Sequence, residues 1–595
     1  MILRYFRPRD WLMVAACVAL VSVQVYLDLR IPEYMSDITY HLQLGTATET
    51  IVEDGERMLA CALASFALAM CTAVLAARVS AVFCGRLRTL MFSSVGSFSK
   101  QDVDGFSAAS LITRSTNDIY QIQQFMPRAI TVVSKAPLIA VLAIWKMSGS
   151  AYEWTAATVV AMVVMVVAFS LMMYRGMPYI RRMQWYVDAV NHITREGLEG
   201  TRGIRAYNAE AHHERRLEEA SDRLLDNSVS LAKVMSPMHA LSSSMMNFLI
   251  LAIYWLGAGI IVSAGSQDQQ MRLFSDMMVF TSYATQVLSA VMMASGILRG
   301  LPRIMVSSKR ISEVISHDPS IRGGGTPGGG VRGSVVFEDV SFAYPGTGRE
   351  VLSHVSFRTD PGETLALIGP TASGKSTVIS LILRMYDVTS GRILVDGTDV
   401  RDMTLEDLHS RMGYVPQMPI VFSGTVRDNV DYGGNGRTDG EVERALRIAQ
   451  LWDFVSSMPE GIDTDLAQHG WNLSGGQRQR LGIARAVCRD PAVYLFDDTF
   501  SALDYRTDRD LRSALDRELD STRIVVAQRV GTILDADRII VLDGGRVVGE
   551  GRHADLMDSC PLYREIAESQ LEGTRWPDPG RGCPPGRAPA TSRRT

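Results

Sequence analysis

The chain has 595 residues, which is too long for one domain and suits two large ones. Hydrophobic residues make up 47% of it, and the formal net charge of −4 gives no sign of nucleic-acid binding. The seven cysteines are scattered without any CxxC spacing. They predict neither a disulfide framework nor a metal site, and small buried apolar residues are the simpler explanation.

Six apolar stretches in the first half approach the ~20 residues that a helix needs to cross a bilayer. No cleavage site for a signal peptide is evident near the first stretch, which we therefore interpret as a retained span. Residues 1–315 are thus predicted to be a helical transmembrane domain. The predicted spans lie near residues 11–29, 57–78, 129–148, 153–174, 238–264 and 274–298.

The charges between the spans predict their orientation. The connections 79–128 and 175–237 are rich in basic residues, whereas the loop 30–56 is mostly acidic. Basic loops stay on the cytoplasmic side, so both termini and the two basic connections are predicted to be cytoplasmic. Both connections mix apolar and charged residues at helical spacing. We interpret them as spanning helices that continue beyond the membrane and return near residues 101–110 and 205–211.

The spans are expected to carry almost no ionisable residues, so no proton relay or ion site is predicted in them. They are rich in methionine, whose flexible thioether suits an adaptable apolar cavity or ordinary packing, and we favour packing. Candidates for a cavity lining are Tyr254, Trp255, Tyr283 and Gln286.

The second half has the composition of a soluble domain. A glycine-rich linker at residues 316–333 precedes it, and we expect a flexible joint because glycine runs cannot hold a helix. Between residues 334 and 570, short apolar strands alternate with amphipathic helices, which predicts an α/β domain. Residues 571–595 form a tail that is too rich in proline and glycine to fold, so disorder is predicted there.

A complete phosphate-binding pattern, GxxxxGK[ST], appears as GPTASGKS at residues 369–376. Its glycines let successive backbone N–H groups face phosphate oxygens, Lys375 adds a positive charge, and the Ser376 hydroxyl is a magnesium ligand. A buried strand feeds this loop, and the positive N-terminal end of a helix follows it. Another buried strand ends at Asp497, a carboxylate placed to fix magnesium. These motifs predict a site for a nucleotide and Mg²⁺.

A second motif, LSGGQ at residues 473–477, lies on the same chain as the membrane-length segments. With it the chain resembles the ABC transporters, and more narrowly one half of a type IV ABC exporter, over nearly all of its length. The resemblance implies a six-span α-helical transmembrane domain with long cytoplasmic helical extensions, fused to an α/β P-loop nucleotide-binding domain. It also implies that the tips of the extensions are coupling helices, the second of which docks on the partner subunit's ATPase domain.

The resemblance assigns roles to single residues as well. Tyr344 stands where the family stacks an aromatic ring on adenine, Gln417 matches the glutamine that touches magnesium, and Asp504 belongs to the D-loop that links two sites. In this family, two nucleotide-binding domains enclose ATP between them, so the signature acts on the partner's nucleotide. The implied residues are Tyr344, Gly369, Thr371, Ser373, Gly374, Lys375, Ser376 and Thr377 for ATP; Ser376, Gln417 and Asp497 for Mg²⁺; and Ser474, Gly475, Gly476 and Gln477 for the partner's site.

Two positions depart from the family's pattern at the catalytic centre. Asp498 replaces the general-base glutamate, and its carboxylate is withdrawn by roughly 1.5 Å, the length of one carbon–carbon bond. A misplacement of ~1 Å can cost on the order of a hundredfold in rate. Gln528 replaces the switch histidine, and an amide can hydrogen-bond but cannot carry a positive charge. With Gln417 as the third catalytic position, we expect a site that holds ATP and cleaves it slowly.

We therefore expect an ATP-driven half-transporter in the plasma membrane of a prokaryote, paired with a second, distinct half-transporter that supplies the competent site. Amphipathic, drug-like or lipid-like molecules are the expected substrates, and nucleic acid is not an expected partner. The alternatives are a lipid or lipopeptide flippase, a siderophore importer on the same fold, and a nucleotide-gated regulator or channel.

Overall fold

The computed structural model describes residues 2–148, 152–326, 329, 332–434 and 436–571. Two compact units divide the chain. The first contains the residues up to Gly96 together with Ala108–His317, and the second contains Ser97–Ser107 and the residues from Asp318 onward. The predicted disordered tail lies outside the described residues except for Leu571, which ends the last helix.

All regular secondary structure in the described part of the first unit is helical. Among the described residues, six helical runs are long and apolar enough to cross a membrane, which confirms the predicted six-span domain. The helices of the first half, with α3 assigned to the second unit, are α1 (Pro8–Leu44), α2 (Thr48–Gly96), α3 (Lys100–Phe106), α4 (Ala108–Thr113), α5 (Ile119–Met147), α6 (Tyr152–Glu199), α7 (Thr201–Ala206), α8 (Glu210–Met235), α9 (Pro237–Ser263) and α10 (Gln267–Ile315).

The predicted loop at residues 30–56 is wrong in its extent. Helix α1 continues to Leu44 and α2 already begins at Thr48, so nearly all of this segment is helical. Polar side chains do not interrupt a helix, and α1 ends only where Gly45 takes the left-handed conformation, with φ 65°. The two helices are joined there by His41 and Asp54, whose Nδ1 and Oδ2 atoms lie 3.1 Å apart.

Short helices lie at both predicted return points. Helix α7 begins four residues before the predicted tip at 205–211 and overlaps only its first two residues, and α3 begins one residue before the predicted tip at 101–110. Ser99 caps α3, and its hydroxyl and backbone N–H both bond with Asp102. The carboxylate of Asp102 also accepts the backbone N–H of Ser320, at 3.0 Å. The hydroxyl of Tyr386 donates to Asp104, at 3.3 Å, so α3 is fixed within the second unit.

The charges in the predicted spans are more numerous than the sequence analysis allowed. Lys135 of α5 lies 3.1 Å from the carboxylate of Asp28 on α1, and Lys146 of α5 pairs with Glu33 of α1. Tyr283, a predicted cavity candidate, is instead buried, and its hydroxyl donates to the carbonyl of Leu29 at 2.9 Å. Because charges within a bilayer are costly unless paired, these contacts stabilise the packing of α1 against α5 and α10.

The second unit is a mixed α/β domain, as predicted. Its strands are β1 (Val335–Ala343), β2 (Glu350–Thr359), β3 (Thr364–Ile368), β4 (Ser390–Val395), β5 (Thr398–Asp399), β6 (Met412–Val415), β7 (Gly424–Thr425), β8 (Asp465–Leu466), β9 (Val493–Asp497), β10 (Thr522–Val526), β11 (Arg538–Asp543) and β12 (Arg546–Gly551). Its remaining helices are α11 (Lys375–Ile382), α12 (Leu405–Ser410), α13 (Val426–Val430), α14 (Asp439–Ile448), α15 (Trp452–Ser456), α16 (Gly475–Arg489), α17 (Tyr505–Glu518), α18 (His553–Ser559) and α19 (Pro561–Leu571).

Three sheets organise the described part of this unit. The largest has six strands in the order β12-β11-β3-β10-β9-β6, and a four-stranded sheet has the order β2-β1-β4-β5. A small sheet pairs β7 with β8. Strand β3 is buried along four of its five residues and β9 along all five, which is typical of central parallel strands covered on both faces.

The predicted flexible linker makes contacts within the second unit at Ile321, Gly324 and Thr326. The backbone N–H groups of Gly324 and Thr326 donate to the carbonyls of Met403 and Asp402, at 2.8 and 3.0 Å. Ile321 is also buried. Residues 327, 328, 330 and 331 of the linker lie outside the described part of the chain.

We predict that Asp28→Ala lowers the thermal midpoint of the purified chain, because it leaves the Lys135 ammonium unpaired in an apolar setting. The loss of a charged partner of this kind costs about 1–3 kcal/mol. Removing Lys135 as well, in Asp28→Ala/Lys135→Ala, should recover part of the loss. The exposed pair of Arg57 and Glu53 is the control, since a surface pair contributes only about 0–1 kcal/mol. Strictly additive losses for Asp28 and Lys135 would contradict the pairing.

Candidate nucleotide site

The order of the parallel strands brings the predicted motifs to one edge of the six-stranded sheet. Strand β3 pairs with β10 in parallel, β10 with β9, and β9 with β6. The phosphate loop follows β3, Asp497 ends β9, and Gln417 and Gln528 come just after β6 and β10. Ligands of such sheets bind outside the carboxyl ends of the strands, which is where these four segments meet.

The phosphate loop requires glycine at two positions. Gly374, just before α11, has φ 100°, and a Cβ there would lie 2.6 Å from Cδ2 of Leu352. Gly369 has φ 155°, and a Cβ on it would lie 2.0 Å from the carbonyl oxygen of Leu542. The backbone therefore forms a tight cradle that a side chain would fill.

Lys375 lies inside this cradle and is only 8% exposed. Its ammonium donates to the carbonyls of Gly369 and Pro370, at 2.8 Å each. Burial lowers the pKa of the Lys375 ammonium, while the nearby carboxylates of Asp498 and Asp497 act in the opposite direction. The loop thus holds a desolvated cation beside its backbone donors, an arrangement that suits a phosphate.

Ser376 and Asp497 form the predicted magnesium pair. The hydroxyl of Ser376 donates to Oδ1 of Asp497, at 2.7 Å, and burial raises the pKa of the Asp497 carboxyl. A hydroxyl and a buried carboxylate are the hard oxygen ligands that Mg²⁺ prefers, so these two residues fit the ion. Gln417, also predicted as a magnesium ligand, is directed elsewhere: its Nε2 donates to Oδ2 of Asp498, at 3.1 Å.

Asp498 is fixed through both its backbone and its side chain. Its backbone is left-handed, with φ 48°, a conformation that Asp tolerates better than most residues. Its N–H donates to the carbonyl of Val526 at 3.0 Å, and its own carbonyl accepts the hydroxyl of Ser501 at 2.9 Å. Oδ2 also accepts the Nε2 amide of Gln528, at 2.8 Å. The two positions that depart from the family's pattern are therefore in direct contact.

A cavity of about 630 Å³ opens over these residues. Tyr344 lies at its wall, and its hydroxyl is 3.1 Å from that of Thr377. Arg349 also lines the cavity, and the sequence analysis missed it because a single arginine in a loop carries no pattern. The lining includes the predicted residues Tyr344, Thr371, Ser373, Gly374, Lys375, Ser376, Thr377, Gln417, Asp498 and Gln528.

The signature and the D-loop do not line this cavity. Ser474 caps α16, where its hydroxyl accepts the N–H of Gln477 at 3.3 Å and its own N–H donates to Oε1 of Gln477 at 2.7 Å. Asp504 caps α17 by accepting the N–H of Thr507, at 3.0 Å, and this bond lowers the pKa of the Asp504 carboxyl. Ser474 and Gly475 are exposed, and a Cβ on Gly475 would meet open space.

Comparison with known proteins agrees with this architecture. Residues 352–501 match the family model of the ABC transporter, and residues 43–291 match that of the ABC transporter transmembrane region. An uncharacterized ABC transporter ATP-binding protein of Mycobacterium tuberculosis is 38% identical over 575 residues, which cover 95% of this chain and 97% of that protein. The chain belongs to the ABC transporter family.

Two further relatives of this ABC transporter carry more specific names. The ATP-dependent lipid A-core flippase of Cupriavidus metallidurans is 32% identical over 480 residues, which cover 78% of each chain. The structure of a bacterial Atm1-family ABC exporter with ATP bound is similar, with a TM-score of 0.79 over 95% of this chain and 98% of that one. At 24% sequence identity, this second similarity shows a shared fold.

We predict that Gly374→Ala weakens ATP binding by at least tenfold. The left-handed conformation costs a residue with a Cβ about 1–2 kcal/mol, and the clash with Leu352 adds to this. Gly440→Ala is the matched control, because Gly440 lies in α14 with no atom close enough to meet a Cβ. Equilibrium binding of ATP to the purified ABC transporter chain measures the difference. Equal affinities for the two variants would contradict this account of the loop.

Proposed function

We propose that this chain is one half of an ATP-driven exporter, which pairs with a distinct half-transporter and whose own site binds ATP but hydrolyses it slowly. The observation that carries the proposal is the contact of Asp498 with two neutral amides beside an intact phosphate loop. Every element that holds a nucleotide is present, whereas the groups at the base and switch positions hydrogen-bond each other.

The residues that we propose to bind ATP and magnesium form a complete set. The N–H groups of the loop and the ammonium of Lys375 bind phosphate oxygens, and Tyr344 offers a ring for adenine. Ser376 and Asp497 hold magnesium, which when bound supplies positive charge to the phosphates. Gln417 is a further magnesium ligand in this proposal, and it reaches the ion by leaving Asp498.

The residues at the base and switch positions are poorly suited to ATP hydrolysis. A general base must present a lone pair about 2.6–3.2 Å from the proton that it removes. Oδ2 of Asp498 already accepts two N–H groups, from Gln417 and Gln528, and its side chain is one methylene shorter than glutamate. Gln528 is neutral, so it cannot supply the charge that a protonated histidine brings to a phosphate.

The signature supports a second subunit. Ser474 and Gly475 are exposed and lie outside the cavity of their own phosphate loop, which supports a role in covering ATP on another chain. Two copies of this chain would form two weak sites. A distinct partner with a competent base would form one strong site, completed by the signature of this chain, while its own signature covers the weak one.

The proposed location is the plasma membrane of a prokaryote, with both termini and the ATPase domain in the cytoplasm, because the arginine-rich connections mark the cytoplasmic side. Amphipathic drug-like or lipid-like molecules are the proposed substrates. The support for apolar substrates is the apolar cluster of the helical unit, in which Met165 and Met277 are buried. Lipid flipping is the second candidate, supported by the relatives that are named lipid A-core flippases.

Reconstitution of the chain alone and with a distinct half-transporter, such as one encoded beside it, tests the proposal. We expect slow ATP hydrolysis by the chain alone and brisk, substrate-stimulated hydrolysis by the mixture. Ser474→Ala should remove most of the activity of the mixture, because it lies at the partner's competent site. Brisk steady hydrolysis by this chain alone would refute the proposal. Ion current that persists when the partner's base is blocked would favour a nucleotide-gated channel.

We predict that Asp498→Glu combined with Gln528→His raises hydrolysis by the chain alone. The longer carboxylate restores a reach of roughly 1.5 Å, and recovering ~1 Å of placement is worth on the order of a hundredfold in rate. Adding Lys375→Ala to the double variant should abolish the gain, which assigns it to this site. An unchanged turnover in the double variant would show that the two substitutions do not cause the defect.

A further inference from the structure

The last helix, α19, contacts the segment from Ala527 to Val530 through one side chain. We call this the switch segment because it contains the switch position, Gln528. Gln570, on α19, donates through Nε2 to the backbone carbonyl of Gln528, at 2.8 Å. Its Oε1 accepts the backbone N–H of Val530, also at 2.8 Å. The nitrogen and the oxygen of the Gln570 amide are therefore both hydrogen-bonded, each to a residue on a different side of Arg529.

This contact lies where the backbone leaves the sheet. Ala527 is the last residue held by a ladder-like bond, which its N–H makes to the carbonyl of Leu367 at 3.1 Å. From Val530 the chain enters a short 3-10 turn. The segment between them has no regular secondary structure, and the two hydrogen bonds of the Gln570 side chain, which we call the clamp, hold its backbone on either side of Arg529.

The helix that carries Gln570 is itself firmly placed. Tyr563 and Ala567 of α19 are fully buried, in one apolar cluster with Ala527 and Val530. The hydroxyl of Tyr563 also lies 2.7 Å from Nδ1 of His553 on α18. Gln570 is exposed, so truncating it removes two hydrogen bonds without opening a cavity in the core.

Gln528 connects the clamp to the nucleotide site. With its backbone held by Gln570, Gln528 directs its side-chain amide to Oδ2 of Asp498, at 2.8 Å. A primary amide nitrogen carries two hydrogens, whereas each ring nitrogen of a histidine carries at most one. Gln528 can therefore hold the Asp498 carboxylate with one hydrogen and offer the other to the terminal phosphate of a triphosphate.

We propose that Gln570 is a positioning residue of the nucleotide site. It fixes the backbone of Gln528, so that the Gln528 amide bridges Asp498 and the terminal phosphate, and it thereby favours ATP over ADP in this site. The proposal rests on the proposed function only in taking ATP as the ligand.

The test compares ATP and ADP affinities of the full-length chain for Gln570→Met, Gln528→Met and the double variant. Losing the bonds that place one amide should weaken ATP binding roughly three- to tenfold. ADP binding should not change, because ADP lacks the terminal phosphate. The double variant should bind ATP no more weakly than Gln528→Met, because Gln570 acts through Gln528. Ser569→Ala is the matched control, since that hydroxyl bonds only with the carbonyl of Ile566 in its own helix.

A second variant, Gln570→Glu, keeps the test informative if Gln570→Met does not fold. Its carboxylate still accepts the N–H of Val530 but cannot donate to the carbonyl of Gln528, so we expect the same selective loss of ATP affinity. Thermal midpoints without nucleotide, close to that of Ser569→Ala, show that the fold is intact. Equal losses for ATP and ADP, additive losses in the double variant, or unchanged ATP affinity each overturn the proposal. Brisk hydrolysis by the chain alone would instead count against the proposed function and leave this comparison unaffected.

Discussion

The carboxylate of Asp498 accepts hydrogen bonds from two neutral side-chain amides, and the chemistry proposed for the site depends on that contact. Burial raises the pKa of the Asp498 carboxyl, since a charge removed from water is costly unless donors replace the water. Gln417 and Gln528 supply those donors, and Lys375 adds an attractive charge nearby. The donors that make burial of this carboxylate tolerable also occupy lone pairs of Oδ2, one of the two oxygens that could serve a general base.

The topology of the sheet makes this contact possible. Gln417, Asp498 and Gln528 are separated by many residues in the chain, but each follows the carboxyl end of one of three adjacent parallel strands. Neighbouring strands lie about 4.8 Å apart, so side chains at adjacent strand ends can meet. The phosphate loop follows β3, the next strand, and completes the row. The groups proposed to bind ATP and those proposed to cleave it therefore share one edge of the sheet, and a change at one strand end alters the contacts of the next.

The features that the sequence predicted are those carried by local patterns. The spacing of Gly369 from the run of Gly374, Lys375 and Ser376 defines a phosphate loop by itself. Six apolar stretches likewise define six spans. The features that it missed depend on contacts between distant residues. A hydropathy value averaged over a window of residues does not reveal Asp28 and Lys135. These two residues form an ion pair only when the helices pack. Gln417 was expected at magnesium, but the sequence holds no signal that its amide donates to Asp498. Gln570 belongs to no motif, and only the fold of α19 brings it to the switch segment.

Under the proposed function, tight holding and slow cleavage serve different ends. A ligand shifts a conformational equilibrium only by its difference in affinity for the two states, and cleavage is not needed for that shift. ATP retained between the weak site and the partner's signature would keep the two ATPase domains associated through many turnovers at the other site. The short carboxylate of Asp498 and the neutral amide of Gln528 then set the lifetime of the association rather than the rate of the cycle. The general base of the partner sets the rate of the cycle. This chain therefore contributes mainly ATP binding, and the partner contributes cleavage.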